Sequence, residues 1–124
     1  MWSDTPLTFG EKNAQTLINQ YIKTRSKDDL YLDSLHVTSL PDNLTVGGDL
    51  GLARTSIFSL PKNLTVKRDL NLAGTFVSSL PNDLTVGGNL LLHFTPLANE
   101  FKEKNYTQDQ LKQMFPKIQG KIRF

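Results

Sequence analysis

The stretch LPDNLTVGGDLGLARTSIFS, residues 40–59, is followed by LPKNLTVKRDLNLAGTFVSS, residues 60–79, and then by LPNDLTVGGNLLLHFTPLAN, residues 80–99. One phrase returns at a fixed pitch of 20 with no insertion or deletion. Its columns extend upstream as well. Leu30, Leu50, Leu70 and Leu90 share one, and Leu32, Leu52, Leu72 and Leu92 share another. Leu35 is followed by Thr55, Thr75 and Thr95, and Val37 by Ile57, Val77 and Leu97. Leu40, Leu60 and Leu80 each precede a proline. Leu44, Leu64 and Leu84 run beside Val46, Val66 and Val86.

The L-x-L step alternates with period two, which places both leucines on one side of a short strand. L-T-V alternates in the same way. Between these steps stand turn formers, the Gly-Gly-Asp corner and the Leu-Pro corner, where glycine admits positive φ and proline fixes φ near −65°. A single coil of this kind has no second apolar layer and cannot fold alone. Stacked coils bury the columns against one another. The predicted object is a β-rich repeat solenoid of about four coils, spaced about 4.8 Å apart as strands of one sheet are, roughly 15–20 Å tall.

The chain has 124 residues, enough for one folded unit, and no cysteine, which removes disulfides, thiol nucleophiles and cysteine zinc sites. Its apolar runs are short, and MWSDTPLTFGEK has neither the basic start nor the apolar core of a secretory signal. A reducing, cytoplasmic setting is expected. Net charge is +2, unevenly spread. Residues 29–98 carry four Lys/Arg against six Asp/Glu, and residues 99–124 carry six against three. The repeats are mildly acidic and the tail is basic, so no continuous basic face is predicted for nucleic acid.

DLGLARTSIFSLP and DLNLAGTFVSSLP resemble L-x-L-x-x-N-x-L-x-x-L-P, the core of the leucine-rich repeat, and the 20-residue pitch resembles its shortest class, found in bacterial effectors. Thr55, Thr75 and Thr95 stand where that family has its ladder asparagine. Gly47, Lys67 and Gly87 stand where it has the first leucine of the strand segment. The L-P-x-x-L-x-V-G-G-x-L-x-L phrasing also resembles short repeat proteins encoded by bacteriophages and their bacterial hosts. This resemblance implies a protein-binding solenoid.

Three segments are expected: an N-terminal capping helix in 1–28, the solenoid in 29–98, and a C-terminal cap of helix plus short strand in 99–124. Thr8 and Glu11 have capping-box spacing, and Ala14, Leu17, Ile18, Tyr21 and Ile22 form one helical stripe. Thr107 and Gln110 mark a second capping box, with Leu111, Met114 and Phe115 as the buried face and Pro116 as the stop. GKIRF offers a last strand with Ile122 and Phe124 inward. Caps of this kind cover sticky sheet edges.

Chemistry is sparse. Asp29, Asp49, Asp69 and Asn89 form a column whose expected role is to cap the adjacent turns, with no calcium bound. The glycine pairs are followed by no G-K-[ST] and no helix, so no phosphate loop is expected. His36 and His93 fall in different columns, and no triad or dyad can be assembled. The threonine column reads as a hydrogen-bonded closure of the coil. No cofactor, no metal and no catalysis are expected.

What changes between coils is the outward set, and the candidate binding face is Tyr31, Arg54, Phe58, Asn71, Phe76, Leu91 and His93. Phe94 is a further aromatic on the outside of the pattern. The expected function is non-catalytic binding of another protein, with the phage resemblance implying an inhibitor or modulator of a bacterial protein such as a defence factor, in the host cytoplasm. Nucleic-acid binding through Lys112, Lys117, Lys121, Arg123 and Lys67-Arg68 is the alternative, and a self-assembling homo-oligomer is another.

Overall fold

A computed structural model describes residues 9–25 and 27–124. Helix α1, Phe9–Thr24, leads into the stack. Each coil then contributes two strands of two residues. The L-x-L step forms β1 (Leu30–Tyr31), β3 (Leu50–Gly51), β5 (Leu70–Asn71) and β7 (Leu90–Leu91). The T-V step forms β2 (Thr45–Val46), β4 (Thr65–Val66) and β6 (Thr85–Val86). The chain ends in α2 (Pro96–Glu103), α3 (Gln108–Met114) and β8 (Ile122–Arg123).

All pairing is parallel. One sheet runs β1-β3-β5-β7-β8 and the other β2-β4-β6. Leu30 pairs with Leu50, Leu50 with Leu70 and Leu70 with Leu90, so the register repeats the 20-residue pitch of the sequence. Three full turns of β-solenoid result, rather than about four. The fourth coil stops because its chain leaves as a helix. Thr95 accepts from the Ala98 N–H at 3.0 Å as N-cap, and Pro96 occupies the first turn, where its missing N–H costs nothing. This helix begins inside the segment 29–98 expected to be solenoid, and Thr-Pro before an apolar stripe is its signal.

The inward columns are full. Leu52, Ile57, Leu72 and Val77 have no exposed surface, nor do Leu32, Leu50, Leu64, Val66, Leu70, Val86, Leu90 and Leu92. Successive turns of one helical ramp thus bury the same columns without a second layer.

The caps follow the expected plan with local differences. The capping box expected at Thr8 lies outside the described residues. In α1, Ala14, Ile18 and Tyr21 are buried, whereas Leu17 and Ile22 are exposed, so only the part of the stripe nearest the first coil is covered. In α3 the Thr107–Gln110 capping box is present in both directions. Leu111 is buried and Phe115 half-buried, but Met114 turns outward. Phe101 from α2 plugs the C-terminal end, with the rings of Tyr106, Phe115 and Phe124 at 5.7, 6.4 and 5.6 Å. Ile122 is buried on β8 and Phe124 packs against the core.

Candidate functional site

The outward row of the larger sheet carries Tyr31, Gly51, Asn71, Leu91 and Arg123 at matching register positions. It is less open than its spacing suggests. The Tyr31 ring lies over Gly51, where an added Cβ would stand 2.8 Å from Tyr31 Cδ1. Its hydroxyl reaches Asp29 Oδ2 at 3.2 Å and Asp49 Oδ2 at 3.3 Å. Loss of water around the phenol, then its hydrogen bond to Asp29 and the charges of Asp29 and Asp49, raise the Tyr31 pKa above its ordinary 10.0. Asn71 is half-buried and its Oδ1 accepts from the Ala73 N–H at 3.0 Å. Leu91 is half-buried.

The turn after this row holds a column of left-handed residues, Ser34, Arg54, Gly74 and Phe94, with φ of 62°, 58°, 72° and 61°. Only the glycine adopts this freely. Arg54 Nε donates to Ser34 Oγ at 3.1 Å. A phenylalanine in this conformation carries strain, and Phe94 is also 87% exposed, with His93 beside it at 6.5 Å between ring centres.

Beyond the turn, one inter-coil hydrogen bond per step holds the third side of the coil, from Ser56 N–H to Val37 O and from Phe76 N–H to Ile57 O. Phe58 and Phe76 project from this side, 63% and 62% exposed. The predicted residues are therefore spread over two sides of the coil that meet at the turn: Tyr31, Asn71, Leu91 and His93 before it, Arg54 in it, Phe58 and Phe76 after it. The aromatics do not fold beneath the caps.

The aspartate column does something other than cap its own turns. Asp29 Oδ1 accepts from the Asp49 N–H at 2.6 Å, Asp49 Oδ1 from the Asp69 N–H at 2.9 Å, and Asp69 Oδ1 from the Asn89 N–H at 2.7 Å. Asn89 Oδ1 then accepts from the Lys121 N–H at 2.9 Å. Each side chain holds the next coil, so the column is an inter-coil ladder. The threonine column is the local closure: Thr55, Thr75 and Thr95 hydroxyls donate to the carbonyls of Leu52, Leu72 and Leu92 at 2.8, 2.7 and 2.7 Å. Among the described residues no three His, Asp or Glu side chains are placed together to hold a metal ion.

A feature that the repeat pattern does not announce lies at the N-terminal end. A groove of about 560 Å³ opens between the end of α1 and strand β2. Tyr21, Ile22 and Leu44 supply apolar walls, and Arg25, Lys27 and Lys67 line it with Asp42. The one sequence signal was Lys67-Arg68 replacing a glycine pair. Tyr21 ties the end of α1 to the coil: its hydroxyl donates to Asp28 O at 2.7 Å and accepts from the Gly47 N–H at 2.9 Å.

No protein-family model matches the chain, and no curated protein matches it. Among the described residues no helix is long and apolar enough to cross a membrane.

Proposed function

We propose that this chain is a non-catalytic protein-binding module. The observation that carries the reading is the exposure of Phe58, Phe76 and Phe94 on a frame whose inward columns are completely filled. A filled frame has no use for three further phenyl rings in water. Exposed aromatics on a rigid support give large contact area at small entropic cost, which is the composition of interface hot spots. Phe94 adds backbone strain to exposure, a combination that packing does not call for.

Resemblance to phage and bacterial repeat proteins supports the narrower reading of an inhibitor or modulator of a bacterial protein, such as a defence factor, in the bacterial cytoplasm. The patch suits an interface at or below standard size, around 800 Å² per partner. The rival reading, nucleic-acid binding, draws on the exposed Lys117, Lys121 and Arg123 of the C-terminal cap.

The test is affinity capture from bacterial lysate with wild type and two variants as baits. Phe58→Ala with Phe76→Ala is expected to lose the partner that wild type retains, and charge reversal at Lys117, Lys121 and Arg123 to keep it. The opposite pattern, with capture falling steeply as salt rises, would put nucleic acid in the first place.

A further inference from the structure

Among the described residues, the groove beside α1 is bounded by a strand edge that no further strand covers. In the smaller sheet, Thr65 N–H donates to Leu44 O and Lys67 N–H to Val46 O. Backbone groups alternate sides along a strand, so the N–H and C=O of Thr45 point the other way, out of the sheet and into the groove. Gly47, two residues on, confirms the direction, because its N–H reaches Tyr21 on that side. Tyr21 satisfies Gly47, while Thr45 remains exposed at the sheet margin and lines the groove. Among the described residues β2 is the first strand of its sheet.

The surroundings of this edge are selective. Three cations, Arg25, Lys27 and Lys67, line the groove with one carboxylate, Asp42. Tyr21, Ile22 and Leu44 form the apolar part. The carbonyl end of α1 offsets some of the positive charge, and the three cations still dominate. A second copy of the chain is a poor occupant. Its complementary end, the C-terminal cap, is itself cationic through Lys117, Lys121 and Arg123, so head-to-tail stacking would oppose like charges.

We propose that the groove docks a short acidic peptide segment of another protein in extended form. The segment adds to β2 as a parallel strand. Its main chain pairs with Thr45, its carboxylates meet Arg25, Lys27 and Lys67, and its apolar side chains settle on the exposed Ile22. Strand addition supplies affinity through the main chain and specificity through alternating side chains. This surface contains none of the exposed phenylalanines and stands independently of them.

The experiment uses the whole chain and a fluorescein-labelled peptide of alternating glutamate and valine, followed by fluorescence anisotropy. The acidic peptide is expected to bind. Its lysine–valine counterpart, and the same acidic peptide N-methylated on alternate residues, are expected to bind at least about tenfold more weakly. Lys27→Glu with Lys67→Glu should cause a loss of similar size. Thr45→Pro should do the same while leaving the fold intact, because proline is tolerated where a strand N–H faces solvent. Phe58→Ala with Phe76→Ala should leave the affinity unchanged, which separates this result from the fate of the aromatic face. Equal binding by the N-methylated peptide overturns strand addition. Displacement of the peptide by a short oligonucleotide of equal charge overturns the assignment to protein. No binding at about 1 mM peptide overturns the site altogether.

Discussion

At the C-terminal end of the stack, the side chain of Gln108 takes the place of the next coil: its Nε2 donates to Ile122 O at 2.7 Å and its Oε1 accepts from the Ile122 N–H at 3.1 Å. Lys112 Nζ takes the neighbouring Gln119 carbonyl at 2.5 Å, and Phe101 fills the space beneath. At the N-terminal end the helix covers the apolar face with Ala14, Ile18 and Tyr21, the Tyr21 hydroxyl serves Asp28 O and the Gly47 N–H, and Thr45 has a groove in front of it. The difference teaches that closing a solenoid takes two separate operations. Apolar columns must be covered, and each outward-facing peptide group must find a partner. Among the described residues, the C-terminal cap does both, and the N-terminal cap does the first and part of the second.

The largest effect should come from the plug of the better-sealed end. Phe101→Ala is expected to cost about 3–5 kcal/mol by urea unfolding, since a fully buried ring ringed by three others leaves a cavity. A loss under about 1 kcal/mol would mean that the C-terminal cap lies outside the cooperative unit. Leu72→Ala, at the middle of the stack, should cost about 2–5 kcal/mol regardless of either end, because coils on both sides prevent collapse into the gap. An unchanged melting curve for this variant would break the stacking account itself.

The hydrogen-bonding half of the comparison is sharpened by a smaller pair. Gln108→Ala leaves both Ile122 groups without a partner and should cost about 1–3 kcal/mol, whereas Tyr21→Phe, with its ring retained, should cost about 1 kcal/mol. Amide exchange gives the location: faster exchange at Ile122 in the first variant and at Gly47 in the second. If Gln108→Ala is silent in both measurements, the glutamine is not a stand-in for a strand.

The smallest effect concerns pH, and it should touch only the N-terminal end. There the ladder carries the carboxylates of Asp29 and Asp49 beneath the Tyr31 hydroxyl, while its last rung, Asn89, is neutral. The folded pKa of Tyr31 is raised above 10.0, so the folded chain holds this proton more tightly than the unfolded one. Its contribution is fully present below pH 10.0 and is lost as pH rises through the folded value. Stability should decline modestly in that alkaline window, and Tyr31→Phe should remove the decline. An identical slope in wild type and variant would show that the phenol is uncoupled from folding.

The stack was legible in the sequence because both its strands and its register are written in one-dimensional spacing. Leucines two apart must share a side, and an unbroken pitch allows one pairing of Leu50 with Leu70. The last strand with Ile122 was legible for the same reason. The ends were harder. Gln108 reads as an ordinary residue in the first turn of a helix until Ile122 is seen folded beside it. The Asp column was visible, but the direction of its hydrogen bonds was not, because an aspartate beside a turn can bond within its own coil or into the next. The groove arises from where α1 ends relative to β2, and no spacing encodes that. The exposed aromatics lay between. Their positions outside the pattern were plain, yet their freedom from the caps depended on where α2 would leave the stack.

The ladder of Asp29, Asp49, Asp69 and Asn89 has a consequence for how such a chain can change over generations. From Asp29 to Asn89 each rung accepts from the backbone N–H of the residue 20 positions later, and Asn89 accepts from the Lys121 N–H, so no rung depends on a particular side chain above it. An in-frame duplication of one repeat in the gene would therefore meet a compatible partner above and below. It would lengthen the rod by one strand spacing, about 4.8 Å, and carry both termini along unchanged. Length and surface can thus be altered by copying a unit and then editing its outward letters, with no new solution needed at either end.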